Sequence, residues 1–237
     1  MKKMTVDANF WEVFPEAKIN LLVVKDIDNI VDEADDPKFE AMLKQGNREA
    51  KKFLGEETFT QNVVIAEWRE AFAKFKTKKG ARSSIEALLK RVNQDKDFRP
   101  ISPLVDIYNT ISLTFAVPCG GEDLMMIQGD LHLGKATGGE SFFPLGAEKD
   151  APALPEEIIY YDDEGAICRS FNWREAKRTM LQETTKDAVL VIEAINLDQA
   201  KRADDAILAL QTAVNDYFGV QGEIHEVTVN QPSVVIY

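Results

Sequence analysis

Residues 99–123, RPISPLVDIYNTISLTFAVPCGGED, constrain this chain more than any other stretch. Ser102-Pro103 is an N-cap followed by a proline that the first helical turn tolerates. Pro118 and the Gly120-Gly121 pair stop the helix. At roughly 100° per residue, Ser102, Asp106, Asn109 and Thr110 fall on one narrow stripe. Leu104, Val105, Ile107, Tyr108, Ile111 and Phe115 cover most of the remaining circumference. A helix apolar nearly all round is a buried one. Its polar stripe then either knits an internal hydrogen-bond network that fixes a neighbouring loop, or forms the wall of a functional cavity.

The chain around it has 237 residues, 45% of them hydrophobic, enough to bury a full core in one domain spanning residues 1–237. Its apolar runs are too short to span a membrane. Lys2 and Lys3 are not followed by the apolar stretch of a secretory signal. Two cysteines, Cys119 and Cys168, without CxxC spacing suit reduced thiols in a cytoplasmic protein. The formal charge of −12 opposes nucleic-acid binding unless positive charge is gathered locally. It is gathered once: Lys74, Lys76, Lys78, Lys79, Arg82, Lys90 and Arg91 face the single acid Glu86, as either a solvated face or a binding patch.

Along the chain, residues 6–13 and 19–25 read as an opening pair of strands, followed by helices over 37–54, 60–75 and from Ser83-Ser84 to about Val92. After the central helix the pattern turns to β. Residues 131–136 and 141–144 are short strands, and 157–161 and 166–171 form a hairpin over Asp162-Asp163-Glu164-Gly165. Residues 187–196 contain an apolar run without alternation, suited to a central strand covered on both faces. Asp198 would cap an amphipathic helix ending at Gly219, before strands 223–229 and 233–237. The class is α+β, with N-terminal helices and a central mixed β-sheet region.

Several catalytic devices have no counterpart here. There is no GxSxG, P-loop or dinucleotide fingerprint, and Thr137-Gly138-Gly139-Glu140 reads as a turn. His132 and His225 lie far apart in predicted strands, so neither a metal site nor a cofactor is expected. Glu193 is more informative, because it ends an apolar run. If it points inward, it costs several kcal/mol unless paired or hydrogen-bonded, and its pKa rises; otherwise it is a strand-end glutamate facing water. Asn172-Trp173-Arg174 combines an amide, a stacking surface and a cation, which serves either nucleotide contacts or simple packing.

RPISPLVDIYNTISL, PCGGEDL, Gly139-Glu140, the IIYYDDEG hairpin, FNWRE and VIEAI, in this order, resemble the B3/B4 editing domain of the phenylalanyl-tRNA synthetase β subunit and its free-standing relatives. The resemblance runs from about Arg82 to Asn196. It implies hydrolysis of a mischarged aminoacyl-tRNA ester, with tRNA as partner. Asn109 and Glu193 match pocket residues of the family. Tyr108 stands where the family has a small hydroxyl residue, and Pro118-Cys119-Gly120 lacks the family's pocket histidine. Ser170-Phe171 aligns with a small Ala-Gly pair, so Phe171 would fill space left for a tyrosyl side chain.

These features imply a catalytic set of Glu193, Glu122 and Asn109. Asp106, Tyr108, Gly120, Gly121, Ser170, Phe171 and Asn172 would bind the substrate, and Lys74, Lys76, Lys78, Lys79, Arg82, Trp173 and Arg174 would bind tRNA. Asp106, Asn109, Glu122 and Glu193 should then share one cavity. A binding module that kept the fold without catalysis, and a small-molecule hydrolase, are the other functions such a chain could have.

Overall fold

The computed structural model describes residues 1–237. Strand β1 (Lys3–Val6), a one-turn helix α1 (Ala8–Trp11) and β2 (Lys18–Val24) open the chain. Helices α2 (Asp36–Ala50), α3 (Val63–Ala73), α4 (Ser84–Asn93) and α5 (Pro103–Phe115) follow. Next come β3 (Cys119–Asp123), β4 (Leu131–Lys135), β5 (Ile158–Asp162), β6 (Gly165–Arg169), β7 (Arg174–Glu175) and β8 (Ala188–Ala194). Helix α6 (Leu197–Phe218) and strands β9 (Glu223–Val227) and β10 (Ser233–Val235) complete an α+β fold. No helix is long and apolar enough to cross a membrane.

Two sheets organise these elements. The larger has the order β10-β1-β4-β5-β6-β7 and is mixed, because β1 and β4 run parallel. The smaller, β3-β8-β2-β9, is antiparallel throughout. Strand β8 lies inside it and is covered on both faces. Leu190 and Ile192 pack against Ile107 and Ile111 of α5 and Ala203, Ile207 and Leu210 of α6. Val189 and Val191 turn the other way, towards Leu131, Ile158 and Tyr160 of the larger sheet. Burial on both sides is why the strand reads as an unbroken apolar run. Glu193 falls on the sheet-to-sheet face, opposite Ile19 of β2.

Four local expectations are corrected. Residues 6–13 are not a strand: β1 ends at Val6, and α1 places Phe10 and Trp11 in the core, where Trp11 Nε1 donates to the Val6 carbonyl at 3.2 Å. Residues 141–144 form no strand, since Pro144 has no N–H to give a ladder, and only isolated bonds tie the segment to Ala166 and Ala176. The cap of α6 is Asn196, which accepts from the Gln199 amide at 2.9 Å, and Asp198 sits in its first turn. Helix α5 stops at Ala116, in the left-handed region at φ +51°, so Gly120-Gly121 lies inside β3 and does not end the helix. A Cβ on Gly121 would meet Leu190 Cδ2 at 2.5 Å and Leu181 Cδ1 at 3.1 Å, so a side chain there would make these buried leucines shift.

Candidate active site

Strand β3 ends the small sheet and β7 ends the large one, and a cavity of about 200 Å³ lies between them. Glu193 forms its floor and is 3% exposed. Its carboxylate is held from two sides: Tyr160 Oη donates to Oε1 at 3.0 Å and Asn172 Nδ2 to Oε2 at 3.1 Å. Burial pushes the carboxyl up to about 8, the two hydrogen bonds work against that rise, and Glu175 adds to it.

Asn172 reaches the floor through an unusual backbone path. Ser170 and Phe171 both adopt left-handed conformations, at φ +47° and +66°, which side-chain-bearing residues seldom do without compensation. The compensation is a buried brace. Glu157 accepts from Ser170 N at 2.8 Å and Ser170 Oγ at 2.6 Å, while Arg169 Nη2 pairs with its other oxygen at 2.6 Å. Phe171 fills the space behind, with ring centroids 5.4 Å from Phe10, 5.8 Å from Phe14 and 5.6 Å from Trp68. Asn172 Oδ1 also accepts from the Ser84 amide at 3.3 Å, joining the turn to the start of α4.

Two further glutamates enter from the strands at the sheet ends. Glu122, on β3, is 7% exposed, and its Oε2 has no hydrogen-bond partner. Burial raises its pKa well above the usual carboxylate range, and Glu175 raises it further; the neighbouring Thr179 hydroxyl and Arg178 act in the opposite sense. Glu175, on β7, is pushed up to about 7 by burial. A Cβ on Gly120 would lie 3.6 Å from Glu175 Oε1, an ordinary contact distance, which puts this glycine beside that carboxylate. Cys119 and Cys168 also line the cavity; burial pushes both thiols up, with added repulsion from Glu193 and Glu175 respectively, so neither is an activated nucleophile.

At the mouth, the Arg174 guanidinium lies 4.9 Å above the Trp173 ring, and the Ser84 hydroxyl has no partner. The basic segment meets the turn that carries Asn172. Lys78 N donates to Ser170 Oγ at 3.4 Å, and Lys76 N to the Glu156 carbonyl at 3.3 Å. Lys74, Lys76, Lys78, Lys79 and Arg82 are all exposed. Lys74 lies 3.9 Å from Glu70 and Arg82 lies 3.7 Å from Glu86, while the other three make no ion pair.

The structure therefore brings together Glu122, Glu193, Gly120, Gly121, Asn172, Trp173 and Arg174. It does not bring Asp106 and Asn109 with them, because α5 packs on the opposite face of the small sheet. The polar stripe is spent internally: Asp106 accepts from the Ile101 amide at 2.9 Å and Thr110 Oγ1 donates to the Asp106 carbonyl at 2.8 Å. Asn109 is half-buried outside the cavity. Tyr108 lines a neighbouring hollow with Ile101 and Leu145 that shares Glu175. Ser170 and Phe171 lie behind the wall rather than in it. Tyr160, Glu175 and Ser84 were not singled out for the site, since strand alternation (for Tyr160) and the tight turn before β7 are invisible without pairing partners.

Glu193 and Glu175 make stability fall as pH rises. Each has a folded-state pKa above the unfolded value near 4.5, so between that value and about 7 to 8 the folded chain keeps protons the unfolded chain has lost. Each carboxyl inside this window costs about 1.4 kcal/mol per pH unit. Urea midpoints measured from pH 5 to 8.5 should decline; a flat or rising profile would mean that these carboxyls are solvated.

The two-sheet α+β scaffold has a counterpart among solved structures. The N-terminal fragment of the phenylalanyl-tRNA synthetase β-subunit from Pyrococcus horikoshii matches 93% of this chain with a TM-score of 0.51 at 13% identity. The chain spans 49% of that fragment, and at this identity the likeness is one of fold. The B3/4 domain family matches residues 67–219, more than half of the sequence, and the chain belongs to it. Comparison with curated proteins finds no match.

Proposed function

We propose that this protein hydrolyses the ester of mischarged aminoacyl-tRNA in trans. The observation that carries the reading is the joining of an amino-acid-sized cavity to a basic, aromatic rim. Glu193 is buried and held by two donors inside it, and the exposed Lys76, Lys78 and Lys79 belong to a segment that Lys78 N ties to Ser170, in the turn that carries Asn172. Ordinary ligand pockets measure about 300–1,000 Å³, so this one takes the aminoacyl group and leaves the nucleotide outside.

An aminoacyl ester is already labile, so orienting water and stabilising the carbonyl oxygen suffices. Glu193, with a pKa of about 8, lies close enough to the working pH to act as general base. It takes a proton from water as the new C–O bond forms and returns it to the ribose oxygen as the ester bond breaks. Asn172 and Tyr160 fix the carboxylate. The unpartnered Ser84 hydroxyl is placed to donate to the carbonyl oxygen. Trp173 and Arg174 receive the terminal nucleotides, and the lysines receive phosphates. Pro118-Cys119-Gly120, without the family's histidine, favours a second reading in which the protein binds tRNA without turnover.

Deacylation of a panel of purified aminoacyl-tRNAs decides between the two. Binding separates the rim contributions. Replacing Lys76, Lys78 and Lys79 by Gln should weaken all tRNAs alike and reduce the salt slope by roughly 0.7–0.9 log units per lost contact. Trp173→Ala should cost about 1–3 kcal/mol and leave that slope intact. Wild-type affinity and slope in the triple lysine variant would remove tRNA from this surface.

A further inference from the structure

The cavity holds more carboxyl groups than the proposed hydrolysis uses. Glu193 serves the water, and one carboxylate answers the α-ammonium carried by every aminoacyl ester. A third remains. Glu122 Oε2 is enclosed and has no hydrogen-bond partner, and Glu122 shares its strand face with Gly120, the residue that opens towards Glu175. No protein cation is free to answer them. Arg178 is committed to Asp162 at 2.7 Å and Glu164 at 3.3 Å, and Arg174 lies over Trp173 at the mouth. Nor do three acidic, histidine or cysteine side chains gather closely enough for a metal ion. A larger, hydrogen-bonding cation fits this set better, since it can span separated carboxylates.

Resting on the deacylase reading, we propose that the cavity selects an aminoacyl group whose side chain carries its own positive charge, a primary amine or a guanidine, with Glu122 as its receptor while Glu175 answers the α-ammonium. Such a side chain supplies the missing partner, and its entry favours the ionised form of Glu122, which burial disfavours, and of the protonated share of Glu175. The other titrating or charged groups around this pair are Glu193 on β8, Tyr160 and Asp162 on β5, Cys119 on β3, Cys168 on β6 and Tyr108 on α5, and the two cations, Arg178 and Arg174, are engaged by Asp162 with Glu164 and by Trp173. Binding at pH 7 should therefore release protons to solvent.

The test uses the intact chain and three non-hydrolysable probes: the methylamides of lysine, arginine and norleucine. Calorimetry in two buffers of different ionisation enthalpy gives affinity and proton release together. The lysine or arginine probe should bind at least about tenfold tighter than the norleucine probe, the worth of one charge-assisted contact, and should release protons. In Glu122→Gln/Glu175→Gln that preference and the release should both vanish. Amides remove a burial penalty, so this variant should melt no lower than the parent, which separates lost binding from lost fold. Equal binding of charged and neutral probes, a preference that persists in the double variant, or displacement of the amine by Mg²⁺ or Zn²⁺ would overturn the proposal. Amine binding without hydrolysis of any lysyl- or arginyl-tRNA would sink the deacylase reading and leave this one standing. Hydrolysis confined to neutral aminoacyl groups would do the reverse.

Discussion

Glu193→Gln is expected to lower the kcat of aminoacyl-ester hydrolysis by about 10²- to 10⁴-fold, the usual contribution of a positioned general base. The variant should fold normally. At neutral pH the buried carboxyl, with a pKa of about 8, is mostly protonated, so a neutral amide of the same shape adds no buried charge. The Tyr160 and Asn172 bonds keep an acceptor on one side only, so a modest rearrangement of Asn172 is the expected structural change. The wild-type pH profile gives an independent check. If Glu193 acts as base, kcat/KM should climb with pH and level off above about 8. A variant within threefold of wild type, or a profile flat across this range, would assign the chemistry elsewhere.

Phe171→Ala is expected to destabilise the fold by about 3–5 kcal/mol, as for other large-to-small aromatic truncations in a core. For a chain of this length that corresponds to a melting temperature lower by roughly 6–20 °C. The ring sits among Phe10, Phe14, Trp68 and Tyr160 and is fully buried. Alanine would leave a cavity there and loosen the left-handed turn that carries Asn172. The range of amino acids accepted should not widen, because Phe171 stands behind the cavity wall. A stable variant with a broadened substrate range would place the ring in the pocket after all.

Position by position, the sequence was legible where burial leaves a periodic trace. The all-round apolar surface of α5, the unbroken run of β8 and the Asp162-Asp163-Glu164-Gly165 hairpin each follow from local pattern. Strand β3 was hidden because two glycines carry no apolar signal, and Gly121 packs against a neighbour 69 residues away in sequence, Leu190. The same limit governed the site. Glu193 stood out as a carboxylate inside an apolar run. Glu175 did not, since nothing local to FNWRE says that the turn before it will fold a glutamate back against β3. Asp106 and Asn109 were misplaced for the complementary reason: a polar stripe on a buried helix looks the same whether it faces a cavity or satisfies its own backbone.

Glu122 and Glu175 stand on the last strands of their sheets, whereas Glu193 lies on an interior strand and the Glu157–Arg169 brace is sealed in the core. Each terminal strand has one full ladder, with β8 for Glu122 and with β6 for Glu175, and only an isolated bridge to Met180 lies on the far side of Glu122, whereas Glu193 and Glu157 are enclosed by packing on every side. On the proposed reading, the groups that would recognise the cargo are thus separate from those that hold the reactive carboxyl. Lineages descending from such a scaffold could then exchange one cargo for another through substitutions at two positions on terminal strands and keep the Glu193 floor.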